Sequence, residues 1–519
     1  MIKGFINGKE YSCQQGENLH AVMAKNGYII DAPCGGKHHC GKCKIKVNNG
    51  MTDITADEKK FLTQYEIDNN IRLSCFFEIH KDFNVSLLTD KYEIQTDYKD
   101  RVFEINPKIN VNAFSIKHGN CIGIAIDIGT TTVVAAFYNL INGEFLDMQS
   151  DINAQKIYGA DVMSRIEYAM NTQNGNKILS DAIIGQINNF IRNFELNTNI
   201  SVSCIAQIVI AGNTTMELLA AGYNIKSLSS IPFIPESYLG EEKKAADLGY
   251  SSPNADVYFM PVSSGFFGGD AIAVILATNF NDGNVNYMVD IGTNGEMAIS
   301  DGEQLFGCST AAGPAFEGAS IRFGTGSIKG AIKRVILSEN GEFLYKTIED
   351  KKAAGICGSG LIDIVALSVK KEFIDETGRI SDDLEEFEDD YAIKIGESDI
   401  WITQKDVREI QLAKSAIRAG AEVLINTLNG KEIQNIYIAG GFGTAINLEN
   451  AATIGLLPEK LLNKASVIGN GSLLGSIMVL LSQNNREIAE KTAEKTAIID
   501  LSTDKLFQDE YVNNMFFEV

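Results

Sequence analysis

The chain has 519 residues, 45% hydrophobic and 22% charged, with 45 basic against 67 acidic residues and a formal net charge of −22. A chain this long exceeds what one core supports, so several domains are expected, and the acidic balance excludes a phosphate-backbone partner such as nucleic acid, which needs a basic surface. No apolar run approaches the roughly 18–20 residues of a membrane span, and the start M-I-K-G-F-I-N-G-K-E has no apolar signal core, so a cytoplasmic protein with no membrane partner is expected.

In chain order, residues 1–90 read as a small β-rich unit. Residues 3–6 and 10–13 flank Asn7-Gly8, a strong hairpin turn. Residues 18–25 have helical period, with Leu19, Val22 and Met23 on one face. Cys34, Cys40 and Cys43 come next in the text A-P-C-G-G-K-H-H-C-G-K-C, and Cys75 stands 32 positions after Cys43. Residues 44–47 alternate, Thr55-x-x-Glu58 is a capping box that predicts a helix through Tyr65, and 72–79 and 83–88 read as strands. Gly35, Gly36 and Gly41 free the cysteine loop to take backbone angles that other residues resist and to turn its N–H groups on the sulfurs.

The spacing C-x5-C-x2-C…C is one residue longer in its first gap than the plant-type ferredoxin pattern. It resembles adrenodoxin-like ferredoxins, and the predicted elements resemble their β-grasp fold. The resemblance implies that Cys34, Cys40, Cys43 and Cys75 hold a 2Fe–2S cluster. A structural zinc site is the alternative, but zinc uses paired C-x2–4-C units and only Cys40 and Cys43 form one. With every ligand position filled by cysteine, His38 and His39 read as surface residues or neighbours of the ligands; relatives usually carry a small residue or glycine near His38. The remaining cysteines of the nine (Cys13, Cys121, Cys204, Cys308 and Cys357) lack ligand spacing and read as buried small hydrophobes.

Residues 91–120 are polar and read as a linker. The apolar run over 121–141 is interrupted by Asp127 and by Thr130, Thr131 and Thr132, and reads as strand, turn and strand in I-A-I-D-I-G-T-T-T-V-V. A second D-I-G-T hairpin begins at Asp290, 163 residues later, which predicts a duplicated fold. Glycine permits close approach to a phosphate, threonine hydroxyls and turn N–H groups bind its oxygens, and each aspartate can hold hydrated Mg2+. Asp270 opens an apolar helix in G-F-F-G-G-D-A-I-A-V-I-L-A-T, I-Y-I-A-G-G-F-G-T over 436–444 is a strand ending in a glycine-rich turn before a helix, and Gly471–Leu481 is a last apolar helix. The acidic run 382–390 reads as a solvated loop or helix face, and the alternating charges of 486–495 as an exposed helix.

The order of these pieces resembles the sugar kinase, actin and heat-shock chaperone ATPase superfamily. It implies two RNase-H-like lobes with ATP between them. The fold class is therefore multidomain, α+β and α/β: a ferredoxin-like domain over 1–90, a linker over 91–120, a first ATPase lobe over 121–265 and a second over 266–519. Together with A-G-N-T-T-M (211–216), A-A-G-P-A-F-E-G-A (311–319), C-G-S-G-L-I-D (357–363), I-T-Q-K-D-V-R-E-I-Q-L-A-K (402–414) and I-G-L-L-P (454–458), the whole chain resembles the reductive activators of corrinoid proteins. The family activity implied is ATP-dependent reduction of a Co(II) corrinoid to Co(I).

The resemblance also implies a role for each site residue. Asp127 and Asp290 position Mg2+ through water. Gly129, Thr130, Thr131, Thr132, Gly292, Thr293, Asn294 and Gly295 contact phosphates, and Gly440, Gly441 and Gly443 pass the adenosine. Asp270 orients or deprotonates the attacking water, its plainer alternative being a helix first-turn acid. Partners implied are a corrinoid protein and a low-potential electron donor, and relatives suggest a homodimer. Two other functions stay open on sequence alone: a redox-sensing small-molecule kinase, and an ATP-gated binding module with a structural cluster.

Overall fold

The structure, a computed structural model, describes residues 2–26, 28, 30, 32, 34, 36–50, 52–62, 64–88, 101–278, 280, 282–388, 390–441 and 445–517. The first strands are β1 (Ile2–Ile6), β2 (Lys9–Cys13), β3 (Lys44–Asn49), β4 (Ile71–Leu73) and β5 (Phe83–Leu87), in sheet order β2-β1-β5-β3-β4. β1 and β5 are parallel and the other pairs antiparallel. Helix α1 (Leu19–Lys25) begins at Asn18, whose side chain caps Ala21 N–H, and buries Leu19, Val22 and Met23 on the sheet.

Two expectations for this domain change. The helix expected from Thr55 through Tyr65 is two short pieces, Ala56–Lys59 and Gln64–Asp68. Thr55 caps Glu58 N–H, but the Glu58 carboxylate does not return the bond. It is buried against Arg72, accepting from Nε at 2.8 Å and Nη2 at 2.5 Å, and from Leu73 N–H at 2.9 Å. The strand expected over 72–79 stops at Leu73 and becomes a 3-10 turn, Ser74–Phe76, because Ser74 N–H bonds Cys43 O at 2.8 Å and swings Cys75 toward the cysteine loop.

The segment read as a linker is only partly described, and its described part is docked. Asn106 exchanges backbone hydrogen bonds with Leu481 O and Gln483 N–H, both 2.8 Å, and 111–118 form a helix.

The duplication is visible in five of the six strands of each lobe, the sixth lying at opposite edges of the two sheets. The first lobe has β6 (Ile122–Ile128), β7 (Thr132–Asn139), β8 (Phe145–Ile152), β9 (Ile205–Gly212), β10 (Glu242–Lys244) and β11 (Asp256–Phe259), ordered β10-β11-β9-β6-β7-β8. The second has β12 (Val285–Ile291), β13 (Gly295–Asp301), β14 (Leu305–Thr310), β15 (Asn435–Gly440), β16 (Ala465–Gly469) and β17 (Thr496–Ile498), ordered β16-β15-β12-β13-β14-β17. In each, an antiparallel three-strand meander is extended by two parallel strands. Asp127 and Asp290 close the first strand of each meander, and Ala211 and Ala439 lie beside them on the parallel neighbour.

Helices α2 (Gly269–Ala277) and α3 (Gly471–Leu481) cross in one apolar layer with residues from both sheets, including Ala125 and Ala298. Gly475 permits the crossing: a Cβ there would lie 2.1 Å from Ala273 O. The exposed-helix expectation for 486–495 needs amending. The helix runs Gln483–Lys495, but Arg486 is buried, stacked 3.6 Å over the Tyr258 ring and paired with Glu242 at 2.5 Å. The acidic run is likewise not wholly solvated, since 386–387 pair as a strand with 390–391 and Glu388 holds Arg322 at 2.6 Å.

Candidate cluster loop and nucleotide cleft

The cysteine sulfurs lie in two pairs. Cys34 Sγ and Cys40 Sγ are 3.3 Å apart, as are Cys43 Sγ and Cys75 Sγ. That separation is far outside a disulfide's ~2.05 Å bond. Among the described residues no three His, Cys, Asp or Glu side chains converge on a single-ion site, whereas two adjacent sulfur pairs match the ligand set of two irons. Each pair shares a hydrogen bond, which lowers Cys34 and Cys43 and raises their partners Cys40 and Cys75. Backbone N–H groups of His39 and Cys40 point at Cys34 sulfur, and that of Lys42 at Cys40 sulfur. Donors aimed at sulfur favour thiolate and stabilise added charge on a cluster. His20 completes the lining: Nδ1 is 3.0 Å from Ser74 Oγ, and buried Nε2 has no hydrogen-bond partner.

Gly36 and Gly41 take φ of +80° and +67°, and a Cβ would strike the His20 ring and Phe61 respectively at 2.9 Å. Gly35 lies outside the described residues. His38 is also left-handed, at φ +64°. Its ring stacks on Phe76 with centroids 4.3 Å apart, and Nε2 is 2.9 Å from Cys75 O. So histidine occupies a glycine-like backbone position and ties the loop to the segment of the fourth cysteine. His39 is exposed, with Nδ1 3.2 Å from Lys37 O.

Between the lobes lies a cavity of about 440 Å³. Its walls include Asp127, Gly129, Thr130, Thr131, Thr132, Asp270, Asp290, Gly292, Thr293, Asn294, Gly440 and Gly441, so nearly all the residues expected at a nucleotide meet there. Gly295 does not line it. It faces the core, where a Cβ would come within 3.0 Å of Ile417, so packing accounts for this glycine. Gly443 lies outside the described residues.

Each acid is differently held. Asp127 accepts from Asn470 Nδ2 at 2.7 Å and Ser472 Oγ at 2.8 Å, at the start of α3. Asp270 sits in the first turn of α2 and accepts Ala271 N–H at 2.8 Å. Burial, then the Asp127 charge, push the Asp270 carboxyl up to about 7, and burial with Asp270, Asp127 and Glu317 pushes Asp290 up to about 8. Burial raises Asp127 too, and Glu296 and Glu217 stand well above the usual carboxylate range. Acids crowded in this way suit a hydrated divalent cation, which offsets their repulsion. Thr293 Oγ1 is buried without a hydrogen-bond partner, as suits a hydroxyl facing a phosphate oxygen.

Several residues at the cleft carried no sequence-level role. Arg165 is buried under the first hairpin and donates to Thr130 O at 2.5 Å and Gly159 O at 3.0 Å. Asn213 donates to Thr130 Oγ1 at 3.1 Å, and Asn153 to Gly129 O at 2.8 Å. Glu317 accepts from Thr131 Oγ1 in the first lobe and from Thr293 N–H, 2.9 Å, in the second. Asn213 and Glu317 belong to strings already singled out, 211–216 and 311–319; Arg165 belongs to none. Cys357, buried as expected, also borders the cavity.

Fold and site together define a ferredoxin-like domain fused to a two-lobed nucleotide-binding ATPase. Residues 5–79 match the 2Fe-2S iron-sulfur cluster binding domain, 122–283 the RACo middle region and 284–519 the C-terminal domain of RACo, the ASKHA domain. The corrinoid activation enzyme RamQ of Eubacterium limosum is 36% identical, with 98% of each chain covered. The [Co(II) methylated amine-specific corrinoid protein] reductase of Methanosarcina barkeri is 25% identical over 75% of this chain and 76% of that one. A solved structure, a reductive activator for corrinoid, iron-sulfur protein, superposes with a TM-score of 0.72 at 28% identity, covering 100% of this chain and 98% of the other. The chain belongs to the RACo family. Its cofactors are a 2Fe–2S cluster and ATP. No helix among the described residues is long and apolar enough to cross a membrane.

Proposed function

We propose that this protein is an ATP-dependent activator of a corrinoid protein, passing one electron through its 2Fe–2S site to reduce Co(II) to Co(I). The observation that carries the proposal is a paired-cysteine loop and an acid-lined cleft on one chain that matches the corrinoid activation enzyme along nearly its whole length. Cys34 and Cys40 would hold one iron and Cys43 and Cys75 the other, as their sulfur pairs suggest. A cluster held by such ligands supplies a one-electron couple near −400 mV in plant-type ferredoxins. Co(I) is a stronger reductant than that, and each ~59 mV of shortfall costs a factor of ten.

Nucleotide binding supplies the difference by favouring one arrangement of the lobes over another. Thr130–Thr132, Thr293 and Asn294 donate to phosphate oxygens, and Gly129, Gly292, Gly440 and Gly441 permit close approach. Asp127 and Asp290 would hold Mg2+ through its waters, and Asn470 and Ser472 fix the Asp127 carboxylate. Asp270 accepts a proton from the attacking water, and its position near 7 suits that task at neutral pH. The electron enters from a low-potential donor, the protein works in the cytoplasm, and it acts as a homodimer.

The test is anaerobic. Reduced protein, Mg-ATP and a Co(II) corrinoid protein are mixed and Co(I) absorbance is followed with and without ATP. ATP-dependent appearance of Co(I) is expected, lost in Cys40→Ser while that variant still hydrolyses ATP. Phosphorylation of a small acceptor without Co(I) would instead favour the kinase alternative.

A further inference from the structure

Among the described residues, Glu317 is the one side chain bonded to both phosphate hairpins. Its Oε2 accepts the Thr131 hydroxyl of the first, and its Oε1 accepts Thr293 N–H of the second at 2.9 Å. Both residues are among those assigned to nucleotide phosphate, Thr131 through its hydroxyl and Thr293 through its turn N–H beside its unpartnered hydroxyl. A carboxylate and a phosphate oxygen cannot take the same hydrogen atoms, and their like charges repel. The surroundings sharpen the conflict, since Asp127, Asp270, Asp290 and Glu296 border the same cavity.

Immediately after Glu317 the chain forms a loop closed tightly on itself. A Cβ on Gly318 would lie 2.5 Å from Thr325 N, and one on Gly324 would lie 2.3 Å from Gly318 O. Gly324 N–H bonds Ile321 O at 3.1 Å, and Thr325 N–H bonds Ile356 O at 2.8 Å. Packing that close transmits a displacement of one end to the other. The far side of the loop meets the cysteine loop. Lys42, between Cys40 and Cys43, donates from Nζ to Ile321 O at 2.8 Å and to Gly324 O at 2.7 Å. The backbone N–H of Arg322 is anchored on Asp406 Oδ1 at 2.6 Å.

We infer that Glu317 competes with nucleotide phosphate for Thr131 and Thr293, and that its release moves the 318–325 loop against Lys42, so nucleotide occupancy is reported to the cluster loop. This rests on the assignment of both hairpins to phosphate. Glu317 is a positioning residue: it sets where the loop stands and takes no part in hydrolysis. The competition makes an unusual demand, because deleting a group in the binding cleft must strengthen binding.

The experiment uses the full-length, cluster-loaded protein and Mg-AMPPNP. Calorimetric Kd is compared between wild type, Glu317→Gln and Glu317→Ala. Removing a charged acceptor for two hydrogen bonds is expected to tighten binding about ten-fold. Hydrogen exchange of peptides covering 36–44 and 318–326 is then measured with and without nucleotide. In wild type, nucleotide is expected to change exchange in both; in Lys42→Met, the response of 318–326 remains and the response of 36–44 disappears. Weaker or unchanged binding in both Glu317 variants overturns the competition, and a 36–44 response that persists in Lys42→Met overturns the transmission. Absence of any nucleotide binding by wild type overturns the phosphate assignment itself, and this inference with it.

Discussion

At the scale of single residues, His38 shows how one side chain does two jobs in the cysteine loop. Its backbone stands at φ +64°, where glycine carries no strain and other L-residues are strained by roughly 1–2 kcal/mol. Its ring offsets that strain by stacking on Phe76 and bonding Cys75 O. His38→Ala keeps the strain and loses the ring, while His38→Gly loses the ring and the strain together. The expected order of cluster lifetime in air, monitored by the visible spectrum, is wild type, then Gly, then Ala; an alanine variant as durable as wild type contradicts the offset. Asp270 carries the second residue-scale prediction. Asp270→Asn keeps the shape of the first turn of α2 but cannot accept a proton, so ATP turnover should fall roughly 10²- to 10⁴-fold with nucleotide affinity and the cluster spectrum retained. Turnover that does not change assigns Asp270 to the helix end alone.

At the scale of elements, the two lobes are joined by helices that touch through backbone. Gly475 lets α3 approach Ala273 O so closely that any Cβ collides with main chain that has nowhere to go. Gly475→Val should therefore separate α2 from α3, costing at least about 1–3 kcal/mol. Because Asp270 lies in the first turn of α2 and Ser472 in the first turn of α3, the same substitution should also weaken nucleotide binding. Calorimetric scanning would show a lowered midpoint for the lobes, with the cluster absorbance of the ferredoxin-like domain unaffected. The elements themselves were largely legible in the sequence. The D-I-G-T strings at Asp127 and Asp290 announce strand, turn and strand because each is local, and their repetition is visible without a fold. The 55–65 helix was misjudged for the opposite reason: Glu58 suits a capping box, yet it turns to Arg72, a partner fourteen residues away that packing supplies.

At the scale of the whole molecule, the cleft stores protons. Asp270 stands at about 7 and Asp290 at about 8, against about 3.8 for an ordinary aspartate. Between these values the folded protein binds more protons than the unfolded chain. Stability from these groups is thus fully present at low pH and is lost as pH rises through 7 to 8. A divalent cation reverses the balance by favouring the charged forms. Mg-nucleotide binding at pH 7 should therefore release protons, measured as an enthalpy that varies with the ionisation heat of the buffer. The release should shrink in Asp290→Asn and vanish near pH 9. Proton uptake instead of release would contradict a cluster of protonated carboxyls in the cleft. The same cleft explains why an acidic chain can hold a polyanion, since the binding charge comes from Mg2+ and backbone donors and not from a basic surface.

The sequence by itself determined the patterns that are contiguous or repeated: four cysteines at ferredoxin spacing, two D-I-G-T hairpins, and the apolar helices that begin at Gly269 and Gly471. Residue type at fixed local spacing is enough for these, because a loop or hairpin brings its own members together. Only the tertiary structure decided who meets whom across the chain. Asn470 reaches Asp127 from 343 positions away, Lys42 reaches Ile321 from 279, and Glu317 reaches Thr131 from 186. These partners are ordinary polar residues with no signature of their own. Their roles come from the docking of lobe on lobe and of the cysteine loop on the second lobe, where burial makes each hydrogen bond selective and leaves few alternative partners.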